Sequence, residues 1–268
     1  MATSTFRKTG DVADRGDREE YTDKPIRLRG ASWVEPGGAA IFFDDFLYDT
    51  LGVDWLATQT ATGTAWAVSP TAGDPVAGHG GWISATTDNA DASANEIGFG
   101  ADGAPAAGFK AERAGNGMLV FEARISKPTA ITTTWVNVGL TDDPTEGAAL
   151  AMSLTTTTWT TTATDAAIWG LFSTATDNDN FILQTVDSNA DGTHVPSTIA
   201  AAADTATRLR IEVDSAGVVY GYQDDKYQGI VSVGVSPDVI LTPYLGVGGT
   251  TTTSTALEAD YVFVACAR

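Results

Sequence analysis

Residues Thr207-Arg208-Leu209-Arg210-Ile211-Glu212-Val213 alternate apolar and polar side chains. A period of two places Leu209, Ile211 and Val213 on one face of an extended strand and Arg208, Arg210 and Glu212 on the other. The alternation recurs: Leu119, Phe121, Ala123 and Ile125 interleave with Val120, Glu122 and Arg124, and Val136, Val138 and Leu140 oppose Trp135 and Asn137. Residues 181–186 and the closing run 257–266 are further strong strands. Weaker ones are expected near 41–48, 64–69, 81–86, 95–100, 148–155, 166–173, 217–222, 227–233 and 239–247. Turn chemistry separates them at Asp142-Asp143-Pro144, Asp191-Gly192, Asp214-Ser215-Ala216-Gly217 and Ser236-Pro237-Asp238. Only residues 199–205 are compatible with a helix, and they are few. Many short strands between regular turns predict an all-β sandwich or barrel, not a parallel α/β fold.

At 268 residues the chain suffices for one large β domain. A domain of about 230 residues buries roughly 70% of its unfolded surface and needs no covalent staples. Cys266 is the sole cysteine, so no intrachain disulfide forms, and it reads as a small buried hydrophobe. Threonine runs at 132–134, 155–158, 160–162 and 250–253 suit solvent-facing strand and loop positions.

Charge divides the chain. Residues 1–30 hold seven basic side chains against six acidic ones, whereas residues 31–268 hold eight against twenty-eight. The leading segment is polar and aperiodic, so alone it cannot offset its ordering entropy. Pro36-Gly37-Gly38 punctuates its end, dividing the chain into an extended N-terminal arm (residues 1–38) and a β domain (residues 39–268). The arm is read as a partner-binding strap. Arg7, Lys8, Arg15, Arg18, Lys24, Arg27 and Arg29 would form ion pairs, with Phe6, Tyr21, Ile26 and Leu28 as sparse apolar anchors. A net charge of −19 argues against nucleic acid as the principal partner. No stretch approaches the ~20 apolar residues of a membrane span. The first residues lack the apolar core of a secretory signal, so synthesis in the cytoplasm is expected.

The order of parts from Thr207 carries a resemblance. The strand "TRLRIEVD", a tight turn, "VVYGYQDDK", then "LTPYL" and a closing "LEADYVFV" form a meander, and Phe42-Phe43-Asp44-Asp45-Phe46 opens the domain. Over residues 41–268 this resembles the concanavalin-A-like, or LamG-like, antiparallel jelly-roll sandwiches. That architecture hosts lectins, glycanases and virion proteins alike, so it does not fix function. An acidic, cysteine-poor, Thr/Ala/Gly-rich jelly roll behind a polar arm is most similar to capsid decoration (cement) proteins of tailed phages. The resemblance implies a non-enzymatic virion protein on the outer capsid surface. Its implied partners are the major capsid protein and neighbouring copies of itself, with a trimer expected and neither nucleic acid nor membrane involved.

The alternatives need specific chemistry. Glycanases of this fold carry carboxylates on one strand as Glu-x-Asp-x-Glu, about 5–9 Å apart across the reacting bond. Glu258-Ala259-Asp260 lacks the third acid and Glu122 stands alone, so no catalytic residue is assigned. His79 and His194 have no nucleophile signature around them. The string Asp187-Ser188-Asn189-Ala190-Asp191-Gly192 fits the first half of a Ca²⁺ loop, making Asp187, Asn189 and Asp191 candidate ligands with 177–179 as nearby donors. Its twelfth position is Thr198, not Glu, and an Asx-rich hairpin turn explains the same residues. Trp82, Trp135 and Trp169 are expected in the core, and Trp159, among threonines, at the surface. An exposed Trp159 would suit the alternative function, a lectin-like or tail-fibre receptor-binding module.

Overall fold

The computed structural model describes residues 33–34, 39–46, 51, 55–59, 64–68, 81–87, 94–99, 108–111, 117–126, 131–143, 150–155, 157–175, 179–249 and 254–267. Among these, in chain order, lie β1 (Trp33–Val34), β2 (Ala39–Asp44), β3 (Trp55–Gln59), β4 (Thr64–Val68), β5 (Ile83–Thr86), β6 (Ala94–Phe99), β7 (Leu119–Ser126), β8 (Thr134–Thr141), β9 (Met152–Thr155) and β10 (Thr158–Thr161). They continue with β11 (Ala166–Phe172), β12 (Asn180–Asp187), β13 (Ala190–Asp191), β14 (Val195–Ala200), β15 (Ala206–Val213), β16 (Val219–Gln223), β17 (Lys226–Val231), β18 (Thr242–Gly249) and β19 (Ala256–Ala267).

The strands pair antiparallel in two main sheets. A nine-stranded sheet runs β1-β2-β19-β7-β15-β16-β17, with β5 beside β19 and β4 beside β5. An eight-stranded sheet runs β13-β12-β11-β8-β18-β6-β3, with β14 also against β12, and β9 and β10 form a separate hairpin. The alternation read from the sequence decides which faces meet. Leu119, Phe121 and Ile125 of β7 and Leu209 and Ile211 of β15 share one fully buried cluster with Val136, Val138 and Leu140 of β8 and Trp169 of β11. Burying one such side chain contributes about 1.5–3 kcal/mol, so the interdigitated sheets supply most of the driving force. Phe42, Phe46, Trp55, Phe99 and Phe109 close part of this core with ring centroids 4.6–6.4 Å apart. The Asp44 carboxylate fixes that corner, accepting from Trp55 Nε1 at 2.7 Å and from the Phe46 backbone N–H at 2.8 Å.

Two sequence expectations change. Residues 199–205 are not helical: Ile199 and Ala200 complete β14, which pairs with β12, and Asp204 sits in a turn at φ +50°. Cross-strand pairing outweighs the weak helix preference of an alanine-rich stretch. The opening strand ends at Asp44, short of residue 48, and is preceded by β1, where Trp33 pairs with Ile41 and Val34 with Ala40. Trp33 and Val34, counted with the arm, therefore add an edge strand to the sandwich.

Candidate functional site

The outward faces of the two sheets differ in kind. On β11, Ala166, Ile168 and Phe172 point away from the main core, yet every residue of this strand is buried. Their cover is the β9–β10 hairpin. Trp159 stands opposite Leu154 and Thr161 opposite Met152, which turns Met152, Leu154 and Trp159 toward the sheet and leaves Thr158 and Thr160 exposed. Met152, Leu154, Ile168, Phe172, Ile182, Val186 and Tyr244 make a second apolar cluster. Polar bonds tie this cover down. Asn137 Oδ1 accepts from the Met152 backbone N–H at 2.8 Å, and Tyr244 Oη accepts from that of Ala151 at 3.2 Å. Tyr244 Oη in turn donates to Glu96 Oε1 at 2.6 Å, and Thr58 Oγ1 donates to Glu96 Oε2 at 3.2 Å. The hairpin thus covers β11 and adjoining parts of β8, β12 and β18. No group of three His, Cys, Asp or Glu side chains converges anywhere among the described residues.

The outward face of the nine-stranded sheet is polar and aromatic. Register places Phe263, Glu122, Arg210, Tyr222 and Tyr227 in one row across β19, β7, β15, β16 and β17. Ala265, Val120, Glu212, Tyr220 and Ile230 form the next row. One half is covered. Phe43 and Tyr261 are buried there with ring centroids 5.8 Å apart, and Arg124 lies 5.4 Å from the Trp82 ring while pairing with Asp260 at 2.5 Å. The other half is open, with Tyr227 55% and Ile230 45% exposed.

This open half is held in place by its own contacts. Arg210 pairs with Glu212 and lies 5.2 Å from the Tyr222 ring. Tyr222 Oη donates to Glu212 Oε2 at 3.1 Å, and its ring meets Tyr227 edge-on at 5.6 Å. Arg208 pairs with Asp225. Partial burial, then the neighbouring Glu212 carboxylate, pushes the Tyr222 hydroxyl above its usual pKa, so it stays protonated at neutral pH. Burial likewise raises the Glu122 carboxyl, against the lowering influence of the Tyr261 hydrogen bond and of Arg208 and Arg210.

The arm candidates, from Phe6 to Arg29, lie outside the described residues, as do His79, Asp177 and Asn178. Asp187 and Ala190 flank a two-residue hairpin turn in which Ser188 and Asn189 adopt φ of 51° and 67°, the left-handed pair that a tight hairpin requires, and Asp191 pairs with Val186 beyond it. The two aspartate carboxylates take different partners: Asp187 Oδ1 accepts from Ser236 Oγ at 2.7 Å, and Asp191 Oδ1 from Thr161 Oγ1 at 3.3 Å. Trp159 is half-buried, edge-on to Phe172 at 5.2 Å with His194 at 5.8 Å, so it forms the rim of the hairpin cover. Glu258 is buried and Asp260 is engaged by Arg124. Cys266, Trp82 and Trp169 are buried, whereas Trp135 is half-buried in the second cluster.

No family model matches the sequence, and no curated protein matches it. Solved structures do. A protein of unknown function from Shewanella oneidensis MR-1 superimposes with a TM-score of 0.55 at 12% identity, covering 94% of each chain. The Bacillus licheniformis β-glucanase gives 0.52 at 10%, over 86% of this chain and 99% of its own. The carbohydrate recognition domain of Emp47p gives 0.51 at 7%, over 88% and 98%. The fold is a concanavalin-like jelly roll. At such identities the likeness establishes architecture alone, and function must be argued from residues.

The open Arg/Tyr face was missed as a site in the sequence reading, although its parts were visible. Arg208-x-Arg210-x-Glu212 and Tyr220-x-Tyr222 each place two or more polar or aromatic groups on one strand face. Only the register of β15 against β16 sets Arg210 beside Tyr222.

Proposed function

We propose that this chain is a non-enzymatic attachment protein, a rigid sandwich that decorates the outer surface of a tailed-phage capsid. One observation carries the non-enzymatic part of this reading. The β9–β10 hairpin covers β11 and adjoining parts of β8, β12 and β18, so that β11 presents alanine, isoleucine, glycine and phenylalanine there under cover, and the Glu96 carboxylate on that face is buried and engaged by Tyr244 and Thr58. Hydrolysis of a glycosidic bond needs two carboxyl groups facing a bound sugar. What the described sandwich offers to the outside is an Arg/Tyr surface suited to another macromolecule. The mixed-charge arm supports the capsid assignment by its composition. Tethering a weak strap to a weakly bound body raises overall affinity through effective concentration.

The test is to add the full-length protein to capsids lacking decoration and measure saturable binding. An Arg27→Glu/Arg29→Glu variant should bind markedly more weakly. Equal binding by both forms sinks the strap, and no binding by either sinks the capsid reading. A carbohydrate-binding role is the second reading, favoured by the Trp159–His194 pair at the surface edge of the hairpin cover. Retention on a glycan array that Trp159→Ala abolishes, without capsid binding, would establish it instead.

A further inference from the structure

We infer that the open half of the nine-stranded sheet's outward face, built from Arg208, Arg210, Tyr220, Tyr222, Tyr227 and Ile230, is the surface on which a second copy of this chain docks. The inference deepens the attachment reading and is separable from it by experiment.

Charge makes the choice of face. With twenty-eight acids against eight bases in residues 31–268, two copies meeting on an arbitrary surface repel. This half-face is different. Arg208 is paired with Asp225 and Arg210 with Glu212, and Asp214 accepts from the Tyr220 hydroxyl, so cations and carboxylates lie together within the patch. A contact about a twofold axis, which gives a dimer in place of the trimer that the resemblance implied, sets a patch against itself and so demands both signs in one patch and apolar anchors between them. Tyr227 and Ile230 supply those anchors, being exposed large apolar side chains on β17, the last strand of the sheet path.

The patch is also ordered in advance. Arg210 is clamped between the Glu212 carboxylate and the Tyr222 ring, Tyr222 is bonded to Glu212, and Tyr227 rests edge-on against Tyr222. Docking therefore freezes few rotamers, which removes part of the entropic cost of association. Tyrosine and arginine are the residue types that carry the largest share of binding energy in interfaces, and aliphatic neighbours such as Ile230 exclude water around them. A partner of single-signed charge can answer only one of the two signs in this patch, whereas a second copy presents both.

Sedimentation equilibrium on the full-length protein tests the inference. A concentration-dependent dimer is expected, weakened by added salt. Tyr227→Asp and Arg210→Glu should each raise its dissociation constant by about tenfold to a hundredfold. The double swap Arg210→Glu/Glu212→Arg, which keeps both signs in the patch, should recover most of the association. Unchanged melting temperatures would show that the variants fold. A wild-type chain that stays monomeric at every concentration overturns the proposal, as does self-association that ignores both single substitutions. Capsid binding reports separately: a monomer that decorates capsids sinks this surface and leaves the attachment reading standing, and a dimer that ignores capsids does the reverse.

Discussion

Tyr261 Oη donates a hydrogen bond of 2.6 Å to Glu122 Oε1 on the covered half of the nine-stranded sheet, where both side chains are buried. Burial disfavours the charged form of Glu122 more than Tyr261, Arg208 and Arg210 restore it, so the folded-state pKa lies above the usual carboxylate value. Between the unfolded and folded values the native state holds a proton that the unfolded chain has lost. Stability from this group is therefore complete below the usual carboxylate pKa and declines as pH rises through the folded value. Glu122→Gln keeps an acceptor for Tyr261 and carries no charge. In urea titrations across acid to neutral pH, the variant should gain stability relative to wild type as pH rises. A difference that does not change with pH would contradict the assignment. Tyr261→Phe, which strips a buried carboxyl of its donor, should cost about 1–3 kcal/mol.

Gly221 is where β16 makes room for the opposite sheet. A Cβ there would lie 2.6 Å from Trp169 Cζ2 and 2.7 Å from Leu183 Cδ2, and Trp169 is anchored by its Nε1 donating to the Arg210 carbonyl at 3.0 Å. Gly221→Ala should destabilise the protein by about 1–3 kcal/mol through overpacking. Combined with Trp169→Phe, the two losses should sum to less than their separate values, because the smaller ring vacates the contested space. Additive losses in denaturant melts would argue against this contact.

The hairpin cover predicts a local loss. Trp159→Ala removes the edge-on contact with Phe172 at the rim of the second apolar cluster, which should cost less than the about 3–5 kcal/mol of a fully buried aromatic. Asn137→Ala leaves the buried Met152 N–H without its acceptor at a cost of about 1–3 kcal/mol. Amide exchange should accelerate in residues 150–161 of both variants well before the β7–β15 core is affected. Uniform acceleration would mean that the hairpin and sandwich unfold as one unit.

The turn between β12 and β13 makes a conformational prediction. Ser188 and Asn189 both occupy the left-handed region, which β-branched residues adopt at about 1–2 kcal/mol each. Asn189→Gly should match or exceed wild-type stability, and Asn189→Val should lower the melting temperature. A tolerated valine would mean that the turn changes type.

The amino-acid sequence by itself determined the strand register of burial. Leu209, Ile211 and Val213 had to face a core because their alternation with Arg208, Arg210 and Glu212 allows no other arrangement of an extended chain, and the same holds for β7 and β8. It also placed the turns at residues 214–217 and 236–238, whose Asp, Gly and Pro carry their own local preference, whereas the hairpin expected to turn at Asp191-Gly192 turns at Ser188-Asn189. Alternation states only that one face is buried, not what lies on the other. Trp135 and Asn137 share the polar side of β8, yet the β9–β10 hairpin covers them, and nothing local to residues 152–161 encodes where that hairpin lands. Likewise Arg210, Tyr222 and Glu122 come from three separate stretches of chain. Their meeting depends on which strands neighbour β15 in the sheet, a long-range choice settled by the packing of the whole sandwich.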